Sequence, residues 1–200
     1  MASRDASLQR HAQRVQQLAF SLAKAAHIAD DRMLHAIAAA AMVHDIGKLG
    51  LPDRLLQKPG PLTPAEYEQV QQHAALGADL LETIAFPGPL AAIVRHHHEN
   101  WDGSGYPSGL GGDAIPIGAR VLSIADCYDA LTSDRPYRRA FSHETAVVMI
   151  QARRGTMYDE ALTGVFMRIV DRVCSVYALD HLGKARTLTP APSMMEASAV

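Results

Sequence analysis

The sequence has few cysteines, no long apolar run, no excess of charge of either sign and no sign of strands. Its only two cysteines are Cys127 and Cys174. They lack CxxC spacing and sit in helix-like apolar surroundings. They read as reduced core thiols of a cytoplasmic protein, which leaves no disulfide framework. No apolar run approaches the roughly 20 residues that a membrane span needs. Lys24 and His27 interrupt the first apolar stretch, so it is not a signal-peptide core. The net charge is only −2, so no broad basic field argues for DNA or an anionic membrane. A small anionic substrate held by a local basic cluster stays open. Period-two alternation and internal repeats are absent as well, and the fold class reads as all-α. What the chain does have is an apolar content of 48%, enough for one core, and ten histidines.

Helical periodicity organises nearly the whole chain. Leu8, Val15, Leu18 and Leu22 mark one face of a first helix, and a second runs from Met33 to Val43. Asp53 to Pro61 reads as a connection. Thr63, Pro64 and Glu66 have the form of a capped helix start, and that helix runs to about Ile84. Another is expected from Leu90 to His98, then helices from Pro116 to Leu131, over 142–154 and over 159–178. Residues 100–115, "NWDGSGYPSGLGGDAI", hold five glycines and a proline and form a structured loop, with Trp101, Tyr106 and Leu110 to bury. Residues 184–200 have the composition of a flexible tail or linker stub, which leaves one domain over 1–183.

The question the sequence raises is why "AAAAMVHD" ends an apolar helix on two ionisable groups, since burying a charge is costly unless something pairs with it. A single inward histidine is more often a hydrogen-bonded core residue than a ligand. Here, however, His11, His44 with Asp45, His73, His97 with His98, and Asp126 each come from the apolar side of a different helix. Imidazole and carboxylate together suit manganese, iron, cobalt, nickel or zinc. Two ions sharing Asp45 would engage all these groups. A water between them would lose a proton near neutral pH, which suits attack on phosphorus. Three consecutive imidazoles cannot all aim at one point, so His96 is left open. His27, His35, His143 and His181 read as surface or packing residues.

His44-Asp45 resembles the signature of the HD superfamily of metal-dependent phosphohydrolases. The stretches "HDIGKLGLPDRLLQKPGPLTPAE", "HHHENWDGSGYPSGL" and "IADCYDALTSDRPYR" resemble its HD-GYP subfamily, with Gly105-Tyr106-Pro107 as the second signature. The resemblance spans roughly residues 8–180. It implies a compact helical bundle and hydrolysis of cyclic di-GMP to pGpG, GMP or both by a metal-bridged hydroxide. It carries over His11, His44, Asp45, His73, His97, His98 and Asp126 as metal ligands. His11, His44, Asp45 and Asp126 would surround one ion; Asp45, His73, His97 and His98 would hold the other. Iron or manganese is the expected pair, with zinc, cobalt and nickel suited to the same donors. Ser7 stands where some members place a glutamate for a third ion, so two are expected.

Lys48, on the face of His44, would contact a phosphate or the nucleophile; the bland alternative is a solvated lysine at a helix end. Arg135 and Arg138, with Tyr137, would hold the dinucleotide's two phosphates, arginine being able to grip each bidentately. Arg139 reads as solvated. Asp102, Gly103, Gly105, Tyr106 and Pro107 form either a rigid turn beside His98 or a surface that shapes the pocket and meets diguanylate cyclase (GGDEF) domains. Asp129 either orients a ligand from behind or caps a local network. A receptor that binds without turnover, a partner-binding module and a phosphohydrolase of another cyclic dinucleotide are the alternatives. A homodimer, and the choice between a standalone enzyme and an excised output domain, stay open.

Overall fold

The computed structural model describes residues 2–134 and 138–181, with side chains over 9–134 and 138–174. Its described residues form helices and loops, with no strand among them. The helices are α1 (Ala2–Ala25), α2 (Asp31–Val43), α3 (Asp53–Leu56), α4 (Pro64–Glu82), α5 (Leu90–His96), α6 (Ile117–Thr132), α7 (His143–Ala152) and α8 (Glu160–His181). Short 3-10 turns cover Ile46–Gly50 and Gly112–Ala114. No helix among the described residues is long and apolar enough to cross a membrane.

The apolar periodicity of α1 is realised as Val15, Leu18, Ala19, Leu22 and Ala23, all buried. The helix stops because His27 takes a left-handed backbone with φ 59°. Ile28 N–H then bonds the Ala23 carbonyl and His27 N–H the Lys24 carbonyl, a Schellman closure. Glycine usually fills that position; His27 does so here, and its role is therefore in the backbone. Asp30 caps α2 by accepting from Arg32 N–H at 3.0 Å. The alanines of α2 let it pack closely on α1, with Ala36, Ala40 and Ala41 fully buried. The capping box at Thr63 forms as the sequence predicts: Glu66 N–H donates to the threonine hydroxyl, and the glutamate accepts from Thr63 N–H at 2.7 Å.

Helix α6 is the central element. It packs on α1, α2, α5, α7 and α8, and from Ile124 to Leu131 every residue is buried. Asp126 and Asp129 are therefore carried through the core itself, where a lone carboxylate would be very costly.

Three boundaries differ from expectation. The segment 53–61 is not purely a connection: Pro52 starts the single turn α3, which folds Leu55 into the core. Helix α5 ends at His96, so His97 and His98 lie on the turn that follows it. Helix α7 ends at Ala152, where Arg153 takes a non-helical backbone. The proposed tail over 184–200 lies outside the described residues.

Candidate metal centre

Three histidines share one local device. His44 Nδ1 lies 3.0 Å from the Ala41 carbonyl, His73 Nδ1 2.7 Å from that of Val70, and His97 Nδ1 2.6 Å from that of Val94. A carbonyl only accepts, so each Nδ1 carries the proton and donates it back to the residue three before. Each Nε2 is left as a lone pair facing inward. The Nε2 atoms of His73 and His97 are buried with no hydrogen-bond partner. An unsatisfied buried acceptor costs about 1–3 kcal/mol, and these two lone pairs belong to a histidine group that could hold a metal ion. Burial pushes His97 down to about 3, and pushes His73 and His98 below the ordinary histidine range. Neutral imidazole is the form that binds metal.

The rings make a continuous chain. His11 stands 5.4 Å from His44, His44 5.4 Å from His97, His97 5.5 Å from His73, and His73 5.1 Å from His98, centroid to centroid. Asp45 sits between its two ends: Oδ2 is 3.7 Å from His44 Nε2 and Oδ1 is 3.6 Å from His73 Nε2. Asp126 Oδ1 lies 3.4 Å from His11 Nε2 and 3.6 Å from His44 Nε2. These separations are long for hydrogen bonds. They suit two donors sharing an ion, since bonds of about 2.0–2.2 Å put neighbouring ligand atoms roughly 3–4 Å apart. Two sets of donors each gather within 4.8 Å: His73, His97 and His98 in one, His11, His44 and Asp45 in the other. All seven residues expected as ligands thus converge on one pocket, and their chemistry fits borderline divalent metals. Burial opposes the charge on Asp45, but the ammonium of Lys48, bonded to it, helps to hold the carboxyl well below the usual range.

The supporting residues are less uniform. Lys48 Nζ donates to Asp45 Oδ2 at 2.7 Å across the 3-10 turn, and the lysine is only partly buried. Asp129 accepts from His11 Nδ1 at 2.7 Å. It thereby fixes the ring of a candidate ligand. Arg138 lies at the C-terminal end of α6, donating to the Ala130 carbonyl at 2.7 Å and the Leu131 carbonyl at 3.3 Å, with its guanidinium over Phe141. Arg135 and Tyr137 lie outside the described residues. His96 stands apart from both donor sets, with Nδ1 3.3 Å from Glu99. His143 bonds Tyr128 and Asp171, and Arg139 is exposed. Burial pushes the Cys127 thiol up to about 11, so it is an unreactive core group.

The glycine-rich loop is anchored by a residue the sequence reading passed over. Glu99 is buried, and its carboxylate accepts Ser108 N–H at 2.7 Å and Leu110 N–H at 3.1 Å. Tyr106 stacks on His98 with ring centroids 4.8 Å apart, while Asp102 is exposed and bonds Ser104. Gly105 is required by space: a Cβ there would overlap Asn100 N and lie 2.5 Å from Glu99 Cα and the His98 carbonyl oxygen. Glu99→Ala should therefore strand two backbone donors and cost about 1–3 kcal/mol, read by denaturant unfolding. Amide exchange should rise at 106–110 while α1 stays protected.

The HD domain family model matches residues 1–162. A cyclic di-GMP phosphodiesterase of Thermotoga maritima is 38% identical over 178 residues, covering 87% of this chain and 48% of that protein. A 3'3'-cGAMP-specific phosphodiesterase of Vibrio cholerae is 42% identical over 120 residues, covering 60% of this chain and 26% of its own length. The chain thus spans half or less of the length of these relatives. Among solved structures, the cyclic GMP-AMP-specific phosphodiesterase V-cGAP3 of V. cholerae superposes with a TM-score of 0.65 at 21% identity, over 82% of this chain and 45% of the other. With an adjacent His44-Asp45 at the heart of the donor cluster and the Gly105-Tyr106-Pro107 signature stacked beside it, the chain belongs to the HD domain family.

Proposed function

We propose that this chain is a metal-dependent phosphodiesterase that hydrolyses cyclic di-GMP to the linear dinucleotide pGpG, and onward to GMP. The observation that carries the reading is the pair of buried, unpartnered Nε2 atoms on His73 and His97, the first of them 3.6 Å from the Asp45 carboxylate that also approaches His44. His11, His44, Asp45 and Asp126 would hold one ion and Asp45, His73, His97 and His98 the other. Iron or manganese is the pair the family resemblance favours, and these nitrogen and oxygen donors suit zinc, cobalt and nickel as well. Bound there, two divalent ions supply Lewis acidity, which lowers the pKa of water and neutralises charge on phosphoryl oxygens.

The protein's own groups do the rest. The Nδ1 bonds of His44, His73 and His97 lock the rings so that little reorganisation is needed. Lys48, paired with Asp45 at the partly exposed rim, would turn its ammonium to a substrate phosphate. Arg135 and Arg138, with Tyr137, would hold the dinucleotide's phosphates. Tyr106, stacked on His98, bounds the pocket on the loop side, and that loop is the surface on which a diguanylate cyclase (GGDEF) domain would dock. Reduced Cys127 and Cys174 accord with a cytoplasmic setting.

A second reading is supported by the V. cholerae relative named for 3'3'-cGAMP, at 42% identity. Both are tested together. Protein loaded with Mn²⁺, or with Fe²⁺ under anaerobic conditions, is incubated with cyclic di-GMP and in parallel with 3'3'-cGAMP, and the products are separated. Faster loss of cyclic di-GMP with pGpG appearing first is expected. Preference for 3'3'-cGAMP would favour the second reading, and both nucleotides persisting intact would overturn the enzymatic one.

A further inference from the structure

We infer that Arg14 is a positioning residue: it decides which of the two α6 carboxylates is left to face the metal pocket and which nitrogen of His11 carries the proton. The inference rests on the dinuclear reading above. Arg14 follows His11 by three residues on α1, so both side chains leave the same face. Its guanidinium forks over Asp129: Nε donates to Oδ1, and Nη2 donates to Oδ2 at 2.9 Å. Nη2 also donates to the Ser133 hydroxyl at 2.9 Å, and that hydroxyl lies 3.3 Å from Asp129 Oδ2. The same Oδ2 accepts from His11 Nδ1.

Both oxygens of Asp129 are therefore engaged, in a side chain only 5% exposed. Asp126, one helical turn earlier, instead turns Oδ1 toward His11 Nε2 and His44 Nε2. Two carboxylates so close on one helix would compete for one cation. The fork settles the competition by occupying one of them. Asp129, ionised under two N–H donors, can only accept, so His11 must keep its proton on Nδ1 and offer the Nε2 lone pair inward. Removing the guanidinium would leave a buried carboxylate without its countercharge. It could then regain one either by swinging toward the metal or by drawing His11 out of line. Lysine supplies the charge but not two parallel donors.

The test uses the full chain with Arg14→Gln and Arg14→Lys, and has two readouts besides turnover. In a Mn²⁺ titration of metal-free protein, Arg14→Gln should weaken one of two ions by about 10–100-fold and leave the other at its wild-type affinity. Arg14→Lys should weaken the same ion by less, and it keeps the comparison available if the glutamine variant does not fold. In ¹⁵N spectra of metal-free protein at alkaline pH, where the ring is neutral, wild-type His11 should show the Nδ1–H form and the variants a mixture. Unchanged affinities with an unchanged tautomer would overturn the inference. So would equal weakening of both ions together with a lowered melting temperature, because Arg14 would then be structural only. A wild-type chain that takes up a single ion would instead remove the dinuclear reading, and the tautomer comparison would still decide the role of Arg14.

Discussion

Asp45→Ala is expected to abolish metal retention and turnover together. Among the described residues, Asp45 is the carboxylate that reaches both donor sets, with oxygens 3.7 Å from His44 Nε2 and 3.6 Å from His73 Nε2. Its removal would delete a ligand from each of the two proposed sites. It also strips Lys48 of the carboxylate that neutralises its ammonium at 2.7 Å, leaving a bare positive charge where the two proposed cations would bind. Either effect alone weakens binding, and they act in the same direction. The purified variant should carry well under one ion per chain by elemental analysis. Its kcat/KM should fall by at least about 10³-fold, equivalent to roughly 4 kcal/mol of transition-state stabilisation. Asp45 is only partly buried and supplies no apolar side chain to the core, so the far-ultraviolet circular dichroism should match wild type. A variant that keeps both ions and normal turnover would remove Asp45 from the bridging role.

The second large effect is expected at a residue that offers no ligand atom itself, Gly47. This glycine lets the Ile46–Gly50 turn lie directly on the backbone of α4. A Cβ there would overlap the His73 carbonyl oxygen and lie 2.5 Å from Gly77 N and 2.8 Å from the His73 carbonyl carbon. All three are backbone atoms inside a helix, so no side chain can rotate away. Gly47→Ala must push the turn off α4, and the turn follows Asp45 while α4 carries His73. Overpacking of this kind costs about 1–3 kcal/mol and sometimes more; with helix backbone as the obstacle, about 3 kcal/mol is expected by denaturant unfolding. Because the displacement separates Asp45 from His73, metal affinity should fall even in the fraction that is folded. Gly164→Ala is the control. A Cβ at that helical position meets nothing nearer than Arg168 Nη1 at 3.8 Å, so it should be neutral or stabilising by about 0.4–1 kcal/mol. If Gly47→Ala behaved like Gly164→Ala, the close packing of this turn on α4 would not be what holds Asp45 in register.

The features that were legible in the sequence are those with a local period. Val15, Leu18 and Leu22 mark the buried face of α1, and Thr63 with Glu66 marks the start of α4. The inward histidines could be found because each interrupts an apolar face. Their locking bonds are local too, running from the ring to the carbonyl three residues before, but they depend on side-chain rotamers that a sequence does not display.

What could not be read are the pairings across long separations. Arg14 meets Asp129 115 residues further on, and no periodicity links them. Glu99 looks like a polar residue leading into a loop, yet it is buried and holds the loop's amides from within. Arg138 resembles a phosphate contact by motif, and its guanidinium also closes the carbonyl end of α6, which the motif does not show. That contact comes from where α6 ends, which propensity alone places only to within a few residues.

The most direct test of the whole account is anomalous scattering from crystals of anaerobically purified, metal-loaded protein. The account predicts two peaks about 3.5–4 Å apart on either side of Asp45, one within bonding distance of His73, His97 and His98 and the other of His11, His44 and Asp126. A single peak, or metal bound elsewhere while these rings stay empty, would contradict it.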